Sequence, residues 1–221
     1  MTNYILKYFH KSILHKLIFV AMVQSVFCIL QLCIRPLYIN DDHYLFLLLN
    51  LVLAWIPLLI VFVLKARKKY SIQLLLFALW FLFFPNAGYV FTDLWHLNDF
   101  SNGVIWFDII MIFSFATNTI LVGNLSLTII HDFIETKFST KICWIIVCCI
   151  FLLSSVGIYQ GRFLRFNSWD VLAHPIETIT TTIERYSNVF LHPIAYPFTI
   201  LVAVMLLSQY LLIRVIARSS K

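Results

Sequence analysis

Phe84-Pro85-Asn86-Ala87-Gly88-Tyr89-Val90-Phe91-Thr92-Asp93-Leu94-Trp95-His96-Leu97 closes an apolar run that begins near Ser71. A helix started there rises about 1.5 Å per residue, so Pro85 sits roughly 21 Å along, two-thirds of the way across about 30 Å of hydrocarbon. Proline at that depth removes one intrahelical hydrogen bond and crowds the preceding turn. Asn86 supplies an amide beside the freed backbone, and Gly88 follows. Lipid punishes irregular backbone and ionisable side chains, so the cluster needs a reason. Two readings account for it: a broken helix that lines a site, or a proline kink satisfied by neighbouring helices.

The rest of the chain supplies the setting. Of 221 residues, 62% are hydrophobic and only 12% charged, where a soluble domain averages about a quarter charged. Mean hydropathy is +0.91. Six apolar segments, about 17–34, 44–64, 71–91, 104–130, 142–160 and 194–216, are near the roughly 20 residues a membrane-crossing helix needs. The predicted fold is all-α: one integral membrane domain over 1–221, a bundle of about six transmembrane helices. The lipid bilayer is its first partner. The net charge of +6 does not indicate nucleic acid, because Lys65, Arg67, Lys68 and Lys69, the only dense basic run, sit between two spans as a topology anchor. Cys28, Cys33, Cys143, Cys148 and Cys149 all lie in apolar spans and read as small core residues rather than a disulfide or zinc framework. Lys7, Lys11 and Lys16 precede the first span as in a signal peptide, but no small-x-small cleavage site follows, so it reads as an uncleaved span.

Counted with the N-terminus inside, 12 basic residues fall on inner segments and four (Arg35, Arg162, Arg165, Arg185) on outer ones. The positive-inside rule then puts both termini in the cytoplasm. Only Asp132 and Glu135 are acids on the inner side. Asp41, Asp42 and Asp99 fit solvated outer loops, whereas Asp93, Asp108 and Asp170 call for partners.

The outer face therefore carries the candidate site. Asp93 and His96 are three residues apart and share a helix face, with Thr92 able to support either. The pair fits a general acid–base couple, two metal ligands or a structural hydrogen bond. Trp95 and Tyr89 suit an aromatic belt, and Tyr89 joins Asn86 and Thr92 as a candidate substrate contact. Asp108 stands one turn inside span four, too deep for a loop. Helical spacing aligns it with Thr119 and Ser126, while Thr117, Asn124 and Thr128 fall nearly opposite. A helix polar on two sides is the predicted central helix, with Gly123 permitting close packing and the small polar residues joining helices. Span five runs into Gly161-Arg162-Phe163-Leu164-Arg165-Phe166-Asn167-Ser168-Trp169-Asp170. Arg162 and Arg165 violate the positive-inside rule, so each is expected to pair with Asp93, Asp108 or Asp170, or to bind an anionic group. Asn167 and Trp169 join the candidate contacts, and Asp170 joins Asp93, His96 and Asp108 as a candidate catalytic group. Pro175 opens a predicted amphipathic helix with Ile176, Ile179, Ile183 and Tyr186 at helical spacing, lying in the interface over the outer mouth. His174 and His192 each precede proline and are expected outside helix interiors.

Residues 80–175 carry a resemblance. Pro85-Asn86-Ala87-Gly88-Tyr89 through Thr92-Asp93-Leu94-Trp95-His96-Leu97 resembles the opening signature of a bacterial membrane family known as domain of unknown function 1361. Trp106-Phe107-Asp108, Ser114-Phe115-Ala116 and Ser126-Leu127 resemble its central helix. Gly157-Ile158-Tyr159 and the stretch Gly161–Asp170 resemble its later signature, with Gly88 in place of an expected second proline and Phe166 in place of tryptophan. The resemblance implies a multi-pass protein of the bacterial cytoplasmic membrane and brings no activity, metal or cofactor with it.

Three functions stay in view: a membrane-embedded enzyme acting at the outer leaflet on a lipid-linked or other envelope substrate, a small transporter or channel-like protein, and a structural or assembly protein whose outer network is only a clamp. In the first, Asp93 or Asp108 is the base or a metal ligand, His96 its partner, and Arg162 with Arg165 the clamp for a lipid or anionic substrate. No nucleophile, phosphate-loop, dinucleotide or zinc-protease motif occurs.

Overall fold

The computed structural model describes residues 2–37, 43–98 and 104–219. Asp41, Asp42, Asp99 and Lys221 lie outside them, as do the side chains of Lys7, Lys11 and Arg218. Among the described residues every regular element is helical. Long helices are α1 (Thr2–Ile34), α2 (Phe46–Ala66), α3 (Tyr70–Phe83), α5 (Ile105–Glu135), α6 (Thr140–Tyr159) and α9 (Ala195–Ser219), with short α4 (Pro85–Tyr89), α7 (Asp170–Ala173) and α8 (Pro175–Ser187) between them. Six stretches are long and apolar enough to cross a membrane: Ile13–Leu37, Phe46–Ala66, Tyr70–Leu97, Ile105–Glu135, Thr140–Leu164 and Ala195–Ile216. They overlay the six predicted spans. Three run further at one end, because the chain stays helical through the polar clusters that were read as boundaries.

α5 is the central helix, touching α1, α2, α4, α6 and α9. Its small polar residues join it to neighbours, as their spacing suggests. Trp80 Nε1 donates to Ser126 Oγ at 3.1 Å, and Gln24 Nε2 donates to Thr117 Oγ1 at 2.9 Å. Gly123 is where α4 presses closest: a Cβ there would lie 2.5 Å from the Cβ of Ala87. Around these contacts Leu58, Val61, Trp80, Leu125, Val147 and Phe151 close the interior. The cysteines depart from expectation. Cys28 and Cys143 are buried, but Cys33, Cys148 and Cys149 face outward on the apolar flanks. An apolar belt solvated by lipid accepts a small thiol as readily as a core does.

Span three is composite. α3 ends at Phe83 and α4 begins with Pro85 at its first position, where the missing N–H costs least. Ala87 N donates to Phe84 O, which leaves the Phe83 carbonyl to the Asn86 side chain at 2.9 Å. After Tyr89 the chain tightens into a 3₁₀ segment, Val90–Asn98. Span five changes pitch in the opposite sense. α6 widens into a π-turn, Gln160–Leu164, and stops at Arg165, which adopts the left-handed conformation at φ 59°.

α8 packs its polar face inward. Thr178 is buried, Thr182 Oγ1 accepts from the Gln160 side chain, and the Tyr186 hydroxyl meets Thr199 Oγ1 at 2.5 Å. Ile176, Ile179 and Ile183 point away from the bundle. His174 and His192 lie in the turns that flank α8, outside helix interiors.

Candidate functional site

The 3₁₀ pitch decides the geometry of the Asp93/His96 pair. With about three residues per turn, positions three apart eclipse, so both side chains leave the same edge of the segment. The π-turn supplies their common partner. Its one-residue expansion turns Arg162 inward, and Gly161 makes room, since a Cβ there would lie 2.8 Å from Tyr89 Cε2. Arg162 Nη2 donates to Asp93 Oδ1, Nη1 meets His96 Nε2 at 3.0 Å, and Nε donates to Thr92 Oγ1 at 2.9 Å. The guanidinium lies 4.9 Å from the centre of the Tyr89 ring. Asn50 of α2 completes the cluster, donating from Nδ2 to Asp93 Oδ2 at 3.0 Å.

Guanidinium is a donor only, so His96 Nε2 must accept, and the imidazole in this arrangement is neutral with its proton on Nδ1. Asp93 is 1% exposed and Arg162 9%. A carboxylate and a guanidinium buried together cancel in charge, and the extra bonds from Asn50 and Thr92 offset their lost hydration.

Beside this cluster lies a cavity of about 540 Å³ between α2, α3–α4 and α6. Its two ends differ. Leu49, Leu53, Ala78, Phe81, Leu153 and Val156 line the apolar end, whereas Asn50, Asn86, Asp93, His96, Asn167 and Ser168 face the other. Leu49 is 53% exposed and Leu153 56%, so the lining includes side chains that lie on the apolar flank of the bundle. The Asn86 amide crosses the floor of the polar end to Ser168 Oγ at 2.9 Å.

The candidate residues thus separate into groups. Asn86, Tyr89, Asp93, His96 and Asn167 line the cavity, and Thr92 and Arg162 stand directly behind. Tyr89 belongs to this wall and to Arg162 rather than to an aromatic belt; Trp95 is the ring that faces out. Asp108 is elsewhere. Its carboxylate takes Arg35 Nε at 2.7 Å and Arg35 Nη2 at 3.3 Å, with Arg35 over the Tyr44 ring. Neither span-five arginine reaches it, because α5 turns that face toward the end of α1. Asp170 is also apart: it accepts from the backbone N of Asn167 at 2.6 Å and fixes its own loop. Arg165 and Trp169 are exposed at the rim, and among the described residues no carboxylate stands within ion-pair reach of Arg165. The expected pairing of Arg165 with an acid is therefore corrected. Its left-handed backbone at the end of the π-turn directs it outward.

Sequence reasoning missed Asn50, one polar residue in an apolar helix, and the role of Arg35. It also missed a cluster at the opposite end of the bundle. There Arg214 donates to Asp132 at 2.6 Å and to Glu135 at 2.9 Å. His131 is buried against Tyr210, Nδ1 to hydroxyl 2.7 Å, and Trp144. This cluster ties α5 to α9. Among the described residues no group of three or more His, Cys, Asp or Glu side chains is placed to hold a metal ion.

A family model matches residues 49–209, from the α2 wall of the cavity through both signatures to α9, under the description "Protein of unknown function (DUF1361)". The chain belongs to that family. Within DUF1361 the matched region takes in Asn50, the composite span three, α5 and the π-turn, and it stops short of Arg35 and Arg214. No curated protein and no solved structure matches the chain.

Proposed function

We propose that this protein binds a lipid-like amphiphile in the cavity between α2, α3–α4 and α6. One observation carries the reading: the lining of the cavity joins leucines exposed on the apolar flank, Leu49 and Leu153, to the hydrogen-bonding groups of Asp93, His96 and Asn50. That division matches a molecule with a hydrocarbon tail and a polar head, and the volume is that of ordinary small-molecule sites. Lateral entry suits a ligand that arrives dissolved in the bilayer. The resemblance to the bacterial membrane family supports a bacterial cytoplasmic membrane location, and the basic-residue distribution supports both termini inside. In that orientation the polar end lies at the outer leaflet, and the isoleucine face of α8 rests in the interface beside the mouth.

Action on the bound head group is a second reading, favoured by the presence of a carboxylate and an imidazole on the same wall. Asp93 then accepts a hydrogen bond from the substrate while Arg162 and Asn50 hold it in place. A transport path is less well supported. Beyond the apolar end the bundle is closed by Trp80, Leu58 and Leu125.

The test is retention of lipid. Wild-type protein, purified through detergent exchange and extracted for mass spectrometry, is expected to carry about one amphiphile per chain. Leu53→Trp combined with Ala78→Phe, which fills the apolar end, is expected to lose it with unchanged circular dichroism. Equal lipid content in both proteins refutes the binding reading.

A further inference from the structure

A second, much smaller cavity lies between α4, α5, α6 and α9. Asn86 and Tyr89 of α4 face the amphiphile cavity, Ala87 and Gly88 face the small one, and Pro85 borders both. The small cavity leaves about 10 Å³ for the centre of a water molecule, the threshold for holding one. Its polar side chains are Asn124 of α5 and Ser154 of α6; every other lining residue is apolar or glycine. Asn124 is 3% exposed and Ser154 0%. Neither Asn124 Nδ2 nor Ser154 Oγ has a hydrogen-bond partner among the described residues. Nearby hydroxyls behave otherwise. Ser126, Thr128 and Ser155 donate to carbonyls about one turn back, to Gly123 O at 2.7 Å, Asn124 O at 2.8 Å and Phe151 O at 2.9 Å. Ser154 makes no such bond to its own helix, so its hydroxyl is left to the cavity.

A polar group buried in a membrane bundle without a partner is costly, because no bulk solvent reaches it. The protein does not fill the gap from the α5 side, where Gly123 stands: a Cβ there would lie 2.5 Å from the Cβ of Ala87. No charged side chain lines the cavity, so an ion would be left without a counter-charge. Water meets both demands. It accepts from the Asn124 amide, donates to Ser154 Oγ and occupies the volume. We propose that this cavity binds one water molecule, which bridges Asn124 to Ser154 beneath α4 and holds that helix in its seat. The water then supports the larger site from behind, since α4 runs directly into the 3₁₀ segment that carries Asp93 and His96.

A crystal structure of the full chain, at a resolution that shows ordered water, is the first test. Density within hydrogen-bond distance of both Asn124 Nδ2 and Ser154 Oγ is expected. A direct bond between the two side chains, or a cavity without density, overturns the proposal. Thermal unfolding in dodecyl maltoside supplies a second test. Ser154→Ala and Asn124→Leu each remove one anchor of the water and are expected to lower the midpoint by roughly 2–8 °C. The double variant leaves no polar atom to satisfy, so its midpoint is expected to lie at or above that of the worse single variant. Without a bridging water the sign reverses: each substitution removes an unpaired polar atom and raises the midpoint. That result overturns the proposal, as does a loss in the double variant equal to the sum of the singles. Amide exchange over residues 85–98 is expected to quicken several-fold in Ser154→Ala while α1 is unchanged; a uniform change along the chain overturns the seating of α4.

Discussion

Gly123→Ala tests how the core holds the site. The added Cβ would sit 2.5 Å from the Cβ of Ala87, where two carbons need roughly 3.5 to 4.0 Å. The helices must part by about 1 Å or more. α5 is central and in contact with most of the bundle, so the movement falls on α4, which is five residues long. Overpacking of this kind costs on the order of 1–3 kcal/mol. For a chain of this size that lowers the unfolding midpoint by roughly 2–12 °C. α4 leads directly into the 3₁₀ segment, so displacement also moves Asp93 and His96 away from Arg162. Gly123→Ala should therefore lose both thermal stability and bound lipid. The reciprocal variant, Gly123→Ala with Ala87→Gly, restores the space and should recover most of both, less about 1 kcal/mol for a glycine inside a helix. Thermal unfolding and lipid content, measured on the same three preparations, decide it. A single variant as stable as wild type, or a double variant worse than the single, refutes the close-approach argument.

Two further outcomes follow from the ion pairs and from α8. Arg35→Met leaves Asp108 buried without a partner among the described residues and should cost about 3–5 kcal/mol; Arg35→Met with Asp108→Leu should recover much of this, and chemical unfolding of the two shows whether it does. Burial raises the Tyr186 phenol above its ordinary value of 10.0, outweighing the Thr199 hydrogen bond, which lowers it, so the folded state favours the protonated form. The docking of α8 should be constant through neutral pH and weaken as pH rises past about 10, and hydrogen exchange in α8 should lose that dependence in Tyr186→Phe.

The six spans were legible because hydropathy over about 20 residues is a local property. The centrality of α5 was legible from polar residues on two of its faces. At the site, the Asp93/His96 spacing and the misplaced Arg162 were readable, since each broke a local rule of membrane sequences. What failed were assignments of partners. Arg35 and Asp108 are 73 residues apart, and nothing in either neighbourhood names the other. Asp170 looked like a partner for arginine, yet an Asn167 backbone N–H three residues away claims it. The change of pitch at Gln160–Leu164 leaves no mark on an apolar pattern, although it alone turns Arg162 inward and Arg165 outward. Asn50 was invisible for the opposite reason, a single amide among leucines.

The Arg35–Asp108 pair also sets a schedule for biogenesis. Arg35 leaves the ribosome 73 residues ahead of Asp108, about 4–15 s at ordinary elongation rates. During that interval the first span carries Arg35 without the fourth-span carboxylate that it meets in the finished bundle, and its long side chain can snorkel into the headgroups. Only when the fourth span inserts does Asp108 arrive to fix the end of the first helix against α5. The amino-terminal helix is therefore made early and placed late, and α2 and the composite third span enter the bilayer before their oldest neighbour takes its final position.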